Sequence, residues 1–261
     1  MLDKSVFEKF DLLPMSYSRL NSFANFPCQF IIQKIYKLDT GSSPAARVGT
    51  LVEEILVEKL KDNNPRADLE GLNIAVAQKK LKDEFADYHD QENVKKYLSY
   101  IPKMYQQCEQ LFNQLGNYPL LSYQEKIETE ILGIPFIGYT DFIFDLDDEL
   151  WVYDLKTKAR MSKPSNMEYL QQWIYKKALE EKYQKPVHTH LYIVTPTKYH
   201  SEELIFSDTN EIEIHNKIKG MAKMLEKCDD EEDIAFLYQP NLDSWEWNEQ
   251  NIPARKQIWG I

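Results

Sequence analysis

Cysteine, glycine and long apolar runs are scarce in this sequence, and each shortage excludes a class of protein. The three cysteines, Cys28, Cys108 and Cys228, are odd in number and widely spaced, which fits neither a disulfide framework nor a CxxC metal site and favours a reducing compartment. The 8 glycines among 261 residues argue against long flexible linkers. No apolar run approaches the roughly 18–20 residues that span a bilayer, and the N-terminus lacks the basic-then-apolar order of a signal peptide. We therefore expect a cytoplasmic protein with no membrane partner.

Positive charge is also in short supply. The chain has 31 Lys and Arg against 42 Asp and Glu, a net charge of −11. No global positive field can then recruit nucleic acid, which counts against a passive nucleic-acid binder held by charge alone. It counts less against an enzyme with acidic metal ligands, because a local basic groove can still follow phosphates.

Hydrophobic residues make up 43% of the chain, enough for an ordinary globular core. Their spacing predicts a helical front half and a mixed back half. The predicted helices are 16–26, 45–60, 74–88, 94–115, 167–181 and 212–225, and the predicted strands are 123–132, 135–146, 149–155 and 189–195. The order helix, three strands, helix, strand predicts an α/β fold with a small sheet flanked by helices.

The segment 138–158 carries the most informative polar residues. Asp141 lies in a predicted apolar strand, and Asp154 and Lys156 alternate at the end of the next strand, so both point to the same face. In a hairpin that turns at 147–148, position 141 lies roughly opposite position 154. Two adjacent carboxylates are costly to bury unless a cation lies between them, and Mg²⁺ and Mn²⁺ prefer such oxygen ligands. The alternative is that Asp141 is a satisfied core or turn carboxylate and that Asp154 and Lys156 form a surface ion pair.

Several motifs, in this order, resemble the PD-(D/E)XK nuclease superfamily, in particular its RecB-type branch, which includes CRISPR-associated exonucleases and many phage exonucleases. The matching stretches are Met15-Ser16-Tyr17-Ser18-Arg19-Leu20 with Phe26-Pro27-Cys28, Gly49 to Glu54, Asp141 with Asp154 and Lys156, Gln171 to Tyr175 with Ala178-Leu179, and Arg255 to Gly260. The resemblance implies a restriction-endonuclease-like core of order αβββαβ. It also implies one nuclease domain over 1–261, with a helical insert at about 65–119, the catalytic sheet and helices at about 120–230, and a C-terminal segment 231–261 that packs back on the core.

The resemblance also implies a role for each site residue. The expected metal ligands for Mg²⁺ or Mn²⁺ are Asp141, Asp154, the Leu155 carbonyl and Glu53 or Glu54; the expected catalytic residues are Lys156, Gln171 and Tyr175; and the expected DNA-binding residues are Arg47, Lys158, Arg160 and Lys163. Plain core packing is an equal alternative for Tyr175. Because Gln171 and Tyr175 are one helical turn apart, both could face the same cleft.

The sequence departs from the branch at two places. Glu53 stands where the branch usually has histidine, and Glu54 follows about 100° around the helix, so we expect one of them to face the site and prefer Glu53. Iron–sulfur members use an early cysteine plus three near the C-terminus, whereas residues 243–261 contain none. We therefore expect no iron–sulfur cluster, and aromatic packing by Trp245, Trp247 and Trp259 in its place.

The expected function is hydrolysis of DNA as a metal-dependent exonuclease in recombination, repair or replication, in a bacterial or phage-infected cell. The expected substrate is single-stranded DNA or duplex ends, with a recombination or replication protein as a possible partner. Two alternatives stay open: a nuclease-like protein that binds DNA or a partner without cutting, and an endonuclease specific for a DNA structure or for RNA.

Overall fold

The structure is a computed structural model that describes residues 2–61, 67–115, 120–240 and 251–261. The helices are α1 (Ser5–Glu8), α2 (Tyr17–Asn25), α3 (Pro27–Phe30), a π-helical turn (Ile31–Ile35), α4 (Pro44–Lys61), α5 (Ala67–Glu84), α6 (Gln91–Leu115), α7 (Asn166–Tyr183), α8 (Asp208–Leu225), α9 (Glu231–Leu237) and α10 (Ile252–Trp259). The strands are β1 (Leu120–Ile131), β2 (Ile134–Asp145), β3 (Leu150–Thr157), β4 (Val187–Val194) and β5 (Tyr199–Glu203). No helix in these ranges is long and apolar enough to cross a membrane.

Within the described residues the five strands form one sheet in the order β1-β2-β3-β4-β5. Only β3 and β4 run parallel, and the crossover between them contains α7, as a parallel pair requires. The order α4, β1, β2, β3, α7, β4 confirms the predicted αβββαβ core. The strand β5 was not predicted, because its sequence YHSEE lacks the apolar alternation of a half-buried strand.

The two faces of the sheet are covered by different helices. One core cluster combines α1, α2, α7 and α8 with apolar residues of β1 to β3, and the other combines α4, α5 and α6 with Phe142, Phe144, Tyr153 and Tyr192. The sheet is therefore the middle layer of three. Helices α5 and α6 occupy the stretch expected to be a helical insert, although α5 begins at Ala67 rather than near residue 74.

The C-terminal residues contact the core through Trp259. Its indole Nε1 donates to the backbone oxygen of Ala235 in α9 at 3.1 Å, and its ring packs against the cluster beneath α1, α2, α7 and α8. Trp245 and Trp247, expected to pack in the same way, lie outside the described residues.

Candidate active site

Asp141 and Asp154 lie side by side on neighbouring strands. The β2–β3 register pairs Phe142 with Tyr153, and continuing it by one residue sets Asp141 opposite Asp154, as the hairpin spacing predicts. The backbone N–H of Leu155 donates to Asp141 Oδ2 at 2.7 Å. Asp154 is 2% exposed, so the alternative in which it belongs to a surface ion pair is wrong.

Lys156 joins the carboxylates to helix α7. Its Nζ lies 2.6 Å from Asp154 Oδ2 and donates to Gln171 Oε1 at 3.1 Å. Gln171 Nε2 in turn donates to the Tyr175 hydroxyl oxygen at 2.7 Å. Helix α7 begins directly after the β3 loop in a capping box formed by Ser165, which fixes the first turn of the helix. Asp154, Lys156, Gln171 and Tyr175 are thus joined by a continuous series of polar contacts.

Helix α4 approaches the end of β3 closely because residue 49 is glycine. A Cβ at Gly49 would lie 2.6 Å from Thr157 Oγ1, a distance that an alanine could not adopt without a shift. One turn later, Glu53 Oε1 accepts a hydrogen bond from Gln124 Nε2 at 3.0 Å. Its charge is also one of those that raise the pKa of Asp141. Glu53 therefore lies on the site side of α4.

Glu54 has different partners. Its carboxylate pairs with Arg47 Nη1 at 3.0 Å and with Lys80 Nζ at 2.9 Å, and Arg47 also pairs with Glu84 at 2.8 Å. These contacts join α4 to α5. Of the two adjacent glutamates, Glu53 is the one whose charge acts on Asp141, and Glu54 belongs to an interhelical ion-pair network.

The electrostatics of the site follow from burying two acids beside one amine. Burial, then Asp154 and then Glu53, raise the pKa of Asp141 well above its usual range, while Lys156 opposes them. Burial disfavours the charged ammonium of Lys156, but Asp154 and Asp141 outweigh it and raise the pKa of Lys156. Burial and the charge of Asp154 raise the pKa of Tyr175 to about 12. At neutral pH, Lys156 is therefore a fixed positive charge and Tyr175 a neutral phenol.

The donor set fits a divalent cation with oxygen ligands. Asp154 is buried, and its Oδ2 lies against the Lys156 ammonium at 2.6 Å. Asp141 supplies a second carboxylate, and a cation between the two would relieve their repulsion. Among the described residues, no three Asp, Glu, His or Cys side chains already converge as a complete ligand set. Two carboxylates are thus in place, and Glu53 is held nearby by Gln124.

The predicted DNA-binding residues differ in their availability. The Arg47 side chain is 22% exposed and paired with two glutamates. Lys158 pairs with Glu168 at 2.9 Å and donates to Ser162 at 3.1 Å. Arg160 and Lys163 are exposed in the loop between β3 and α7. A phosphate could reach Arg160 and Lys163 directly. At Arg47 and Lys158 it would compete with the carboxylates that already pair with them.

Two residues of the site were missed from the sequence. Gln124 lies opposite Asp141 on β1, between the pairs Tyr123↔Phe142 and Glu125↔Thr140, and its φ of 49° is rare for a residue other than glycine. Tyr17 has its pKa raised by burial and then by Glu168, Asp154 and Tyr175, which places its hydroxyl near the acids. Tyr17 lies inside the opening motif and could have been found there. Gln124 carries no sequence signal.

The comparisons with known proteins agree with this geometry. The family model described as the PD-(D/E)XK nuclease superfamily matches residues 14–243, a range that holds every matching motif except the segment 255–260. A candidate exonuclease from Eubacterium rectale has a similar structure, with a TM-score of 0.56 and 13% identity over 100% of this chain and 99% of that one. At that identity the likeness shows the fold alone.

A second solved structure, SSO0001, is 14% identical over 73% of this chain and 94% of its own, with a TM-score of 0.35, too low to carry an argument. No curated protein matches the sequence. Three findings agree: the family match over most of the chain, the αβββαβ core, and the cluster of Asp141, Asp154, Lys156 and Gln171. The chain belongs to the PD-(D/E)XK nuclease superfamily.

Proposed function

We propose that this protein is a divalent-metal-dependent deoxyribonuclease, acting as an exonuclease of the RecB-type branch. The observation that carries the proposal is the pair of facing carboxylates, Asp141 and Asp154, which share one ammonium, Lys156 Nζ, 2.6 Å from Asp154 Oδ2. Two carboxylates brought together beside a single positive charge are costly unless the site binds a further cation. A superfamily of nucleases supplies the reaction class.

The residues that would hold Mg²⁺ or Mn²⁺ are Asp141, Asp154, the Leu155 carbonyl and Glu53. When bound, such an ion lowers the pKa of a water and neutralises charge that grows on the phosphate. Gln124 supports this arrangement because its amide already holds one oxygen of the Glu53 carboxylate.

Lys156 supplies positive charge at the site. Asp154 and Asp141 raise its pKa and keep the ammonium protonated in the metal-free protein, so it can stabilise a phosphate oxygen or orient the attacking water. Gln171 and Tyr175 are positioning residues, since the amide oxygen of Gln171 accepts from Lys156 and its amide nitrogen donates to the Tyr175 hydroxyl. Arg160 and Lys163 would contact the DNA backbone, together with Lys158 and Arg47 if their carboxylate partners are displaced.

The test is digestion of end-labelled linear DNA, single- and double-stranded, with Mg²⁺, Mn²⁺ or chelator. We expect metal-dependent loss of nucleotides from an end, and a fall of about a hundredfold or more in Asp154→Asn and in Lys156→Ala, the cost of removing a preorganised charge. Asp148→Asn is the matched control, because Asp148 is exposed in the β2–β3 turn and should cut at the wild-type rate.

Closed circular DNA separates the alternatives. An exonuclease leaves circles intact, whereas cleavage of circles would indicate an endonuclease, and preferential cleavage of RNA would reassign the substrate. Metal-independent binding of DNA without any cleavage would indicate the non-cutting alternative, which the glutamate at the usual histidine position favours. Full activity in either site variant would remove the assignment. A role in recombination, repair or replication, and a protein partner from those processes, belong to the same proposal.

A further inference from the structure

One hydrogen bond joins the edge strand of the sheet to the helix that carries Glu53. Gln124 Nε2, on β1, donates to Glu53 Oε1 at 3.0 Å. The β1–β2 register places Gln124 opposite Asp141, so its side chain reaches from beside the acid pair to α4. No hydrogen bond from a described residue reaches the other carboxylate oxygen, Glu53 Oε2. The amide therefore holds one oxygen of Glu53 and leaves the second available to a ligand.

The alternation of strand β1 breaks at Gln124. In a regular strand, residues four positions apart point to the same face. Tyr123 packs against the cluster beneath α4, α5 and α6, whereas Ile127 is buried in the cluster beneath α1, α2, α7 and α8. Of residues 123–127, all of which are described, only Gln124 has a positive φ, of 49°. The break therefore falls at the residue that contacts α4.

Glutamine is an unfavourable residue in this backbone conformation. The left-handed region brings Cβ close to the following carbonyl oxygen, and glycine avoids this contact because it has no Cβ. Residues other than glycine that are held in this region concentrate at functional sites. At Gln124 the unfavourable conformation coincides with a side chain that holds Glu53, which indicates that the side chain is used.

The donor to Glu53 is neutral, unlike the donors to its neighbour. Glu54 pairs with the cations of Arg47 and Lys80, which offset its negative charge. The amide N–H of Gln124 satisfies one oxygen of Glu53 and adds no net charge. The negative charge of Glu53 is therefore fixed in place without being neutralised.

We propose that Gln124 is a positioning residue for the metal site, which holds the Glu53 carboxylate so that one of its oxygens can bind the divalent cation. The inference rests on the proposed function for the presence of that cation. Glu53 is partly exposed on α4, and a glutamate side chain that is not held samples several rotamers. Fixing it before the ion binds lowers the entropic cost of binding. Hydrogen-bond partners of metal ligands commonly change metal affinity by about 10–100-fold.

The test is the affinity of the full chain for Mn²⁺, measured by isothermal titration without DNA. Gln124→Ala should weaken binding by about tenfold, the low end of that range, because the contact is exposed. In a Glu53→Gln background, where Asp141 and Asp154 remain, Gln124→Ala should cause no further loss, since its effect acts through Glu53. A further loss of similar size in that background would overturn the proposal.

Gln124→Gly separates this role from a structural one. Glycine removes the amide and also relieves the left-handed backbone. In chelator this variant should melt at the wild-type temperature or above it, yet it should bind Mn²⁺ as weakly as Gln124→Ala does. A lower melting temperature together with weak binding would assign the loss to the fold and would contradict the positioning role.

Gln184 provides the matched control. It is also a glutamine in the left-handed region, with a φ of 55°, and its Nε2 donates to the carbonyl oxygen of Glu181 at 2.8 Å. It follows the last residue of α7, about 20 Å of helix beyond Gln171. Gln184→Ala and Gln184→Gly should therefore bind Mn²⁺ like the wild type.

The results separate this inference from the nuclease assignment. If Gln124→Ala binds Mn²⁺ like the wild type while the protein still cuts DNA, the positioning role fails and the nuclease stands. If the variants change the Mn²⁺ affinity as described but the protein never cuts, the positioning role stands and the nuclease fails. If the wild type binds no Mn²⁺, both fail.

Discussion

At the scale of single residues, the site keeps its acids in an unfavourable arrangement. Asp141 and Asp154 repel each other, Glu53 adds to the repulsion, and Lys156 compensates only part of it. Such strain at a functional site lowers the stability of the ligand-free protein and is released when a cation binds.

Asp141→Asn therefore tests whether the acids are arranged for a cation. In chelator, the free energy of unfolding of this variant should exceed that of the wild type by about 0.5–2 kcal/mol. The amide removes one charge, and its oxygen can still accept a hydrogen bond from the Leu155 N–H. The wild type should gain stability on addition of Mg²⁺ or Mn²⁺ by mass action, and the variant should gain much less.

Denaturant unfolding with and without metal provides the measurement. The sign of the pH dependence is a further check. The wild-type pKa of Asp141 is raised well above the usual 3.8 of an aspartate, so stability is lost as pH rises from there through the raised pKa, and the difference from the variant should grow over that interval. A variant less stable than the wild type in chelator at neutral pH would contradict the argument.

At the scale of elements, the orientation of α4 decides which glutamate belongs to the site. The sequence places Glu53 and Glu54 about 100° apart on the helix without saying which way the helix is turned. Close contact of Gly49 with β3 and the ion pairs of Arg47 and Lys80 settle the rotation.

Glu53→Gln and Glu54→Gln form a matched pair for this prediction. Glu53→Gln should reduce cleavage strongly and weaken metal binding, because a charged oxygen ligand is lost. Glu54→Gln should retain both and cost up to about 1 kcal/mol of stability, since its partly exposed ion pairs are individually weak. Isothermal titration with Mn²⁺ provides a readout that is independent of cleavage. Equal loss of metal binding in both variants would show that α4 is turned differently.

At the scale of the whole molecule, the face of the sheet that α4, α5 and α6 cover carries an aromatic cluster that includes Phe144 and Tyr153. His190 on β4 is 9% exposed and stacks on Tyr153 with ring centroids 4.6 Å apart. Its Nε2 makes no hydrogen bond with any described residue. Burial, opposed by Glu203 and assisted by His188, lowers the pKa of His190 to about 4. Folding therefore keeps this imidazole neutral.

Protonation of His190 is expected to limit stability in acid. The unfolded chain binds this proton below a pKa of about 6.5, whereas the folded chain binds it only near 4, so stability falls as pH drops through that interval. The full effect is at most about 3.4 kcal/mol, since one pKa unit corresponds to about 1.36 kcal/mol.

His190→Phe keeps a stacked ring and should flatten this part of the curve of unfolding free energy against pH. His200→Gln is the control, because the side chain of His200 is 53% exposed, and it should leave the curve unchanged. An unchanged slope in His190→Phe between pH 4 and 6.5 would show that another group controls the acid response.

The features of this protein that could be predicted from sequence are those that depend on local patterns of residues. The spacing of apolar residues predicts the order of elements, the hairpin spacing predicts that Asp141 faces Asp154, and the one-residue alternation predicts that Asp154 and Lys156 share a face. The helical turn between Gln171 and Tyr175 was predicted in the same way, and the structure shows the two side chains in contact. Each of these depends on a repeat of the backbone over a few residues.

Only the tertiary structure decided the rest. Several features join segments that are far apart in the chain. They are the rotation of α4 that sets Glu53 beside Gln124, the pairing of Arg47 with Glu54 and Glu84, and a pocket between α2, β2 and α7 that Tyr139 helps to line. Such contacts depend on how elements pack and not on the periodicity of any one of them. The sequence by itself determined the chemical groups and their order along the chain, and the packing of α4, α2 and α7 around the sheet decided which groups meet.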